Sequence, residues 1–279
     1  MLLSPALTVV TVLFLGGLAF GLAQSFGWLP FIGQRELSLD AYRALWRDPA
    51  VRASVVLTLR LALTATALAA VLAVVGALLI RSTRRGRRLA TVVFQANLPV
   101  PHIVGAAAML ALLSQSGLLS RVTTAVGLTD SIQGFPPLVA DRWGVAIIAE
   151  FVWKEVPFIG TVVLAVLASG VDELEDVARS LGAGPWQRFR HVVLPLITPA
   201  VAATSIIVFA FSFGSYEIPF LLGRSYPVTL PVLAYQAYTD SDLTARSTAM
   251  AIAVVIAVLV GLLVAAYLWL SDRYLRPLR

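Results

Sequence analysis

Six runs of apolar residues, each about twenty residues or longer, constrain this chain more than any other feature of its sequence. A helix of about 20 residues crosses a hydrocarbon core of about 30 Å. Charged residues make up only 13% of the chain, against about 25% in soluble proteins. We therefore expect an all-α membrane protein with six transmembrane helices. The runs extend over about Leu3 to Ala23, Ser54 to Ile80, Leu89 to Leu113, Trp143 to Ala168, Pro199 to Leu222 and Ser247 to Leu270.

The first run is predicted to be a membrane anchor, because it lacks a basic n-region and a small-x-small cleavage site. Arginines predict the orientation of all six helices, since short basic loops stay on the cytoplasmic side. The segment 81–88 is densely basic, and the loop 169–198 and the tail 271–279 carry more arginines on the same side. Both termini and the 169–198 loop are therefore predicted to be cytoplasmic, although four arginines in the outer segment 24–53 weaken the bias. The cytoplasmic arginines are Arg81, Arg84, Arg85, Arg87, Arg88, Arg179, Arg188, Arg190, Arg273, Arg276 and Arg279.

The loop 169–198 is predicted to form a helical elbow. Asp172 and Glu175 fit an Asp-x-x-Glu variant of the capping box at a helix start. Gly182 then predicts the helix end, and Pro185 suits the first turn of a second helix. A small apolar stripe recurs along the first helix at helical spacing. It comprises Leu174, Val177, Ala178 and Leu181.

The spacing within this loop resembles the "EAA" loop of permease subunits of binding-protein-dependent type I ABC importers. That pattern is E-A-A, three residues, Gly, nine residues, then I-x-L-P, and the chain matches it from Asp176 through Gly182 to Pro195. Asp176 and Val177 replace the Glu and the first Ala. The alternative is an ordinary amphipathic interfacial loop.

The resemblance implies a type I importer permease fold in which this loop is a coupling helix that contacts an ATP-binding subunit. It assigns contacts to Asp176, Ala178, Gly182 and Ala183, and we hypothesise that Glu175 pairs with an Arg or Lys of that subunit. It implies two ATP-binding subunits that bind ATP and Mg, a second permease subunit of the same or a related sequence, and an extracytoplasmic solute-binding protein. The five-helix core would be 54–270, preceded by an N-terminal helix and outer segment over 1–53.

The chain itself has no phosphate-binding loop, because Lys154 is its single lysine and lacks the glycine-rich context. His102 and His191 lie far apart without metal-ligand spacing. We therefore predict no catalytic residue, no metal and no cofactor within this chain. Its basic residues lie at the span ends, so we expect lipid as their surroundings and not nucleic acid.

Ionisable and polar residues inside the spans are costly and are candidates for function. Glu150 and Lys154 are four residues apart and are predicted to form an ion pair, which leaves Glu155 without a local partner. Arg60 is expected to reach the outer interface. Around Pro99 and Pro101, the third run is interpreted either as a structural kink or as part of a solute pathway. The pathway candidates are Asn97, Glu155, Ser215, Tyr216 and Glu217, with packing against neighbours as the alternative for Glu217.

Residues 213–222 resemble permeases of the polyamine, ferric iron and thiamine group. Together with Glu155 and Glu217, this resemblance predicts a cationic, polyamine-like solute, and an anionic or neutral solute remains the alternative. The alternative class is an ion-coupled secondary transporter or channel. It predicts an inverted repeat with matching helix breaks, and Pro99 and Pro101 have only a rough counterpart in Pro219. A membrane-embedded enzyme is disfavoured because catalytic clusters are absent from the sequence.

Overall fold

The computed structural model describes residues 4–83 and 85–275, and the described part is helical apart from loops and one isolated bridge between Leu29 and Gln34. Arg84, Arg276 and Arg279, which entered the charge argument, lie outside the described residues. The helices are α1 (Ser4–Ser25), α2 (Asp40–Arg47), α3 (Pro49–Ser82), α4 (Arg87–Gln95), α5 (His102–Leu113), α6 (Leu118–Ala125), α7 (Val145–Leu167), α8 (Val171–Ser180), α9 (Pro185–Arg188), α10 (Leu194–Gly214), α11 (Glu217–Leu222), α12 (Leu230–Tyr238) and α13 (Ala245–Leu275).

The predicted all-α membrane architecture is confirmed. Five helical segments of the described chain are long and apolar enough to cross a membrane, and a sixth is counted when α7 is taken together with α8, which bends away from it by 58°. Three ionisable residues lie within α7, which lowers its apolar character. They are Glu150, Lys154 and Glu155.

The third and fifth predicted spans differ most from the structure. The third run does not form one helix, because α4 ends at Gln95 and α5 begins at His102, after two prolines that lack the N–H needed to continue a helix. The apolar segment then continues to Ala125. The fifth span was predicted over Pro199–Leu222, but it runs from Pro185 to Gly214, and residues 217–222 form the separate helix α11.

The start of the fifth span is continuous with the elbow. A π-helical turn, Phe189–Val193, joins α9 to α10 just before Pro195. Since the proline ring removes one backbone N–H and crowds the preceding turn, a wider turn at this point accommodates it.

The chain divides into two compact units, with boundaries inside α3, between Ser225 and Tyr226, and inside α13. One unit extends from the N-terminal helix to Thr58 and includes Tyr226–Leu262. In it, the Thr58 hydroxyl accepts a hydrogen bond from the Leu230 amide at 2.9 Å, and the Arg246 guanidinium lies 5.2 Å from the ring centre of Phe31.

The other unit comprises Leu59–Ser225 and the chain from Leu263 onward. Its core is built on alanines at four-residue intervals along α3, which pack with apolar side chains of α7 and α10. Small side chains allow membrane helices to approach closely, so dispersion contacts stabilise the unit. The fully or almost fully buried members are Ala69, Ala73, Ala77, Ile159, Val163, Leu167, Val171, Val193, Ile197 and Val208.

Candidate functional site

The elbow between α7 and α10 has the geometry that its glycines predict. α8 ends before Gly182, which has φ +85°, a left-handed conformation that glycine adopts without steric cost. The Gly182 amide donates to the Arg179 carbonyl and the Ala183 amide to the Ala178 carbonyl, each at 3.0 Å. This pair of bonds is a Schellman motif. The predicted helix end at Gly182 and the predicted helix start at Pro185 are both confirmed.

The predicted capping box at the start of α8 is wrong. The residue before the helix is Gly170, with φ +91°, and no side chain caps the helix. Asp172 and Glu175 instead both accept hydrogen bonds from Arg81 at the end of α3. The Arg81 Nε donates to Asp172 Oδ1 at 3.1 Å. The hydrogen bond from Arg81 holds the pKa of Asp172 below its usual range.

The same contact gives Glu175 a partner within its own chain. We expected Glu175 to pair with a basic residue of another subunit, but its carboxylate is bound by Arg81 of its own chain, and its side chain is only 18% exposed. The sequence held a signal for this arrangement. Asp172 and Glu175 are three residues apart and share one face of α8, and Arg81 ends a span predicted on the same side.

The opposite face of α8 is open. Leu174 and Val177 are exposed, and Leu181 is 82% exposed. Asp176 is exposed too, but it lies one turn after Asp172, beside the face that Arg81 binds, and it forms an ion pair with Arg179 at 2.9 Å in which both side chains are exposed. The remaining predicted contact positions, Ala178 and Ala183, are half-buried, and Gly182 is exposed. Trp186, on α9, is also exposed and lies 5.5 Å from the Phe189 ring.

A second polar region lies where the third span is interrupted. Lys154 of α7 is buried and its Nζ donates to the carbonyls of Asn97 at 2.9 Å, Val100 at 2.6 Å and Leu98 at 3.4 Å. The Asn97 side-chain amide donates in return to the Trp153 carbonyl. The interrupted backbone and α7 are therefore joined by polar contacts in both directions.

The predicted Glu150–Lys154 ion pair is wrong. Lys154 binds the carbonyls of the break, and no ion pair within 4 Å joins it to Glu150 in the described part of the chain. Glu150 is fully buried, with Oε1 3.6 Å from the His102 Nδ1, and neither of its carboxylate oxygens has a hydrogen-bond partner within residues 4–83 and 85–275. Glu155 is also buried. The four-residue spacing was correct, but the free carbonyls left by the prolines compete for the ammonium group.

The remaining pathway candidates lie at the junction of α10 and α11. Ser215 and Tyr216 are half-buried, and the Tyr216 ring stacks on Phe220 at 5.1 Å. Glu217 begins α11 and is exposed. This helix packs against α5 and α7, the helices that carry His102 and Glu155. Across residues 4–83 and 85–275, no three His, Asp or Glu side chains are grouped as metal ligands.

Comparisons with known proteins agree on one family. A family model described as "binding-protein-dependent transport system inner membrane component" matches residues 65–276. The "probable sulfate transport system permease protein cysT" of Chlorokybus atmophyticus is 26% identical over 249 residues, which cover 82% of this chain and 84% of that protein. The "inner membrane ABC transporter permease protein YnjC" of Escherichia coli K12 is 30% identical over 86% of this chain, but this chain spans only 46% of YnjC.

A solved structure has the same fold along almost the whole chain. It is a "bacterial ABC transporter involved in the import of the acidic polysaccharide alginate", with a TM-score of 0.81 and 20% identity. The match covers 96% of this chain and 93% of the other. The similarity extends over both units of the chain, and at this identity it concerns the fold alone.

Proposed function

This chain belongs to the family of binding-protein-dependent transport system inner membrane components and is a permease subunit of an ABC importer, and on that premise we propose that its 169–198 elbow docks on an ATP-binding subunit. The observation that carries the proposal is the division of α8 into two faces. One face is bound to the chain itself through Arg81, and the other exposes Leu174, Val177 and Leu181. A contiguous exposed apolar face on a membrane protein's polar loop is typical of an interaction site.

The chemistry of transport is divided between subunits in this proposal. ATP and Mg bind to two partner subunits, which hydrolyse ATP. A second permease subunit completes the solute pathway, and an extracytoplasmic binding protein delivers the solute. Asp176, Ala178, Gly182 and Ala183 are the proposed contact positions on the elbow, and Glu175 holds α8 against α3 through its contact with Arg81.

The docking proposal is tested by Gly182→Val. No atom lies within 4 Å of a Cβ at Gly182, so the substitution acts through the backbone, which a β-branched residue cannot hold at φ +85°. We expect the ATP-binding subunit to be lost from the purified complex. The matched control is Gly127→Val, because Gly127 has φ +74° and equally open surroundings. Retention of the ATP-binding subunit and of ATP-dependent uptake in Gly182→Val would contradict the proposal.

The orientation is proposed from the arginines: both termini and the elbow face the cytoplasm. The chain has no cysteine, so single cysteines can be introduced without background. Ser180→Cys should react with a membrane-impermeant maleimide only in inside-out vesicles. Ser131→Cys should react in intact spheroplasts, and the opposite labelling pattern would invert the topology.

The pathway is proposed to include Asn97, Glu155, Ser215, Tyr216 and Glu217. The exposed carboxylate of Glu217 supports a cationic solute, such as a polyamine. The printed names of relatives refer instead to sulfate and molybdenum. Uptake of labelled spermidine and of labelled sulfate by a strain lacking the gene decides between these solutes. Unchanged spermidine uptake would remove the polyamine proposal, and selective loss of sulfate uptake would support the anion.

A further inference from the structure

The end of α3 and the start of α8 form a polar joint. Arg81 lies in the last turn of α3, and its guanidinium binds two carboxylates, Asp172 and Glu175, in the first two turns of α8. Arg81 is 14% exposed and Glu175 18% exposed, so the contact between them is largely shielded from water. Because one planar guanidinium binds two carboxylates, it fixes both the position and the direction of α8 relative to the end of α3.

The helix ends favour the same arrangement. A cation is stabilised at a helix C-terminus and carboxylates at a helix N-terminus, because the unpaired backbone groups there carry partial charges of opposite sign. Arg81 at the end of α3 and Asp172 at the start of α8 therefore each suit their own helix as well as one another. A lysine in place of Arg81 would lack the planar fork that reaches both acids.

An apolar contact lies beside this joint. Val171 is 2% exposed and packs in the cluster that contains Ala77 of α3 and Leu167 of α7. This apolar packing keeps α8 in contact with α3 and α7, but it is non-directional and does not by itself fix the direction of α8. The contact with Arg81 therefore defines the direction of α8 relative to the end of α3.

We propose that Arg81 is a positioning residue that transmits movement of the elbow to α3, so that docking and the membrane helix move together. The inference rests on the proposed docking function, but it assigns Arg81 no contact with the ATP-binding subunit. Removal of Arg81 should therefore leave the complex assembled and its basal ATP hydrolysis intact. It should uncouple that hydrolysis from the solute-loaded binding protein.

The experiment uses the assembled transporter in proteoliposomes, with the binding protein added at saturating concentration. The variants are Arg81→Gln, the exchange Arg81→Glu with Glu175→Arg, and the control Arg88→Gln, which removes one cation from the same basic segment. We measure the ATP-binding subunit retained, basal ATPase, the stimulation by the binding protein, and solute uptake. In Arg81→Gln we expect stimulation and uptake to fall at least about fivefold, the lower end of coupling between distant sites.

The exchange variant keeps one cation between two carboxylates, at positions 81 and 172, and is expected to recover more than half of the stimulation. Wild-type stimulation in Arg81→Gln would overturn the inference, and so would loss of the ATP-binding subunit from that variant, since Arg81 would then act in docking. No recovery in the exchange variant would also count against it. Failure of the wild-type chain to retain any ATP-binding subunit would instead contradict the proposed function.

A crosslinking variant gives an independent result if the exchange variant does not assemble. Arg81→Cys with Glu175→Cys introduces the only two thiols, because the chain has no cysteine. A short bismaleimide should restore stimulation, which the unlinked thiols alone should not do. Equal stimulation before and after crosslinking would overturn the mechanical role of this joint.

Discussion

Helices are interrupted at residues 96–101 and again at residues 181–184, and the two interruptions differ in where their backbone groups find partners. At the first, prolines remove N–H donors, and the buried Lys154 of α7 donates to three carbonyls. At the second, Gly182 allows a left-handed turn whose hydrogen bonds close locally between Ala183 and Ala178. The first break therefore depends on a neighbouring helix, whereas the second is complete in itself.

The difference follows from the surroundings. Within an apolar environment an unpaired carbonyl costs several kcal/mol, so a break there needs a polar side chain from another element and becomes a point where helices are joined. At a polar surface the turn satisfies itself and leaves its side chains, such as Leu181, exposed. One break joins helices within the unit, and the other leaves apolar side chains exposed at the surface.

The largest expected effect comes from removing the donor at the first break. Lys154→Met leaves the carbonyls of Asn97 and Val100 without their charged donor, and hydrogen bonds to charged groups contribute about 1.5–3 kcal/mol each. We expect the free energy of unfolding, measured by titration with SDS, to fall by about 3 kcal/mol or more. The matched control is Arg60→Met. Arg60 donates a hydrogen bond to the Arg142 carbonyl at the surface, so its loss should cost about 1 kcal/mol or less. Equal losses in the two variants would contradict the role of Lys154.

The next effect concerns packing beside the first break. A Cβ at Gly160 would lie 2.5 Å from Phe94, whose ring is also within 3.0 Å of a Cβ built at Gly76. Because the ring is held from both sides, Gly160→Ala should destabilise the protein by about 1–3 kcal/mol in the same titration. Phe94→Leu should restore part of the loss. Gly261→Ala, in open surroundings on α13, serves as control, and a similar loss there would remove the packing explanation.

A smaller and local effect is expected at the second break. Gly182→Ala meets no atom within 4 Å, so its cost is that of a left-handed L-residue, about 1–2 kcal/mol. In this variant we expect faster hydrogen exchange of the amides at positions 182 and 183, measured by mass spectrometry, without a change in exchange at Lys154. Gly182→Asn should be milder, since asparagine tolerates this conformation. Faster exchange around Lys154 in Gly182→Ala would show that the two breaks are not independent.

The smallest effect concerns pH. The pKa of Asp172 is lowered by the hydrogen bond from Arg81, so this contact contributes stability above the unfolded-state pKa and loses it as pH falls through the folded pKa. The contribution of Asp172 to stability should therefore be constant between pH 6 and 8 and should decline in acid below about pH 4. Because Asp172 is 77% exposed, Asp172→Asn should cost at most about 1 kcal/mol. The difference in the free energy of unfolding between the wild type and Asp172→Asn should be constant near neutral pH. A change in that difference between pH 6 and 8 would contradict the role given to Asp172.

The elbow shows how far local sequence rules extend. Gly182 and Pro185 determined the helix end and the next helix start, because turn chemistry depends on a few adjacent residues. The same local rules also predicted a capping box at the start of α8, which is wrong. Gly170 occupies the position before the helix, and Arg81 binds both carboxylates. A residue 91 positions away competed with a local hydrogen bond, and no local pattern contains that information.

The number of apolar segments, the helix breaks at Pro99, Pro101 and Gly182, and the family-specific spacing of the elbow were determined by the sequence alone, because each depends on composition or on residues close in the chain. Only the tertiary structure decided the partners of the charged groups. Lys154 binds the broken backbone instead of Glu150, and Glu175 binds Arg81. Buried charges take the best acceptor that packing brings near, and which acceptor is near depends on how distant helices come together.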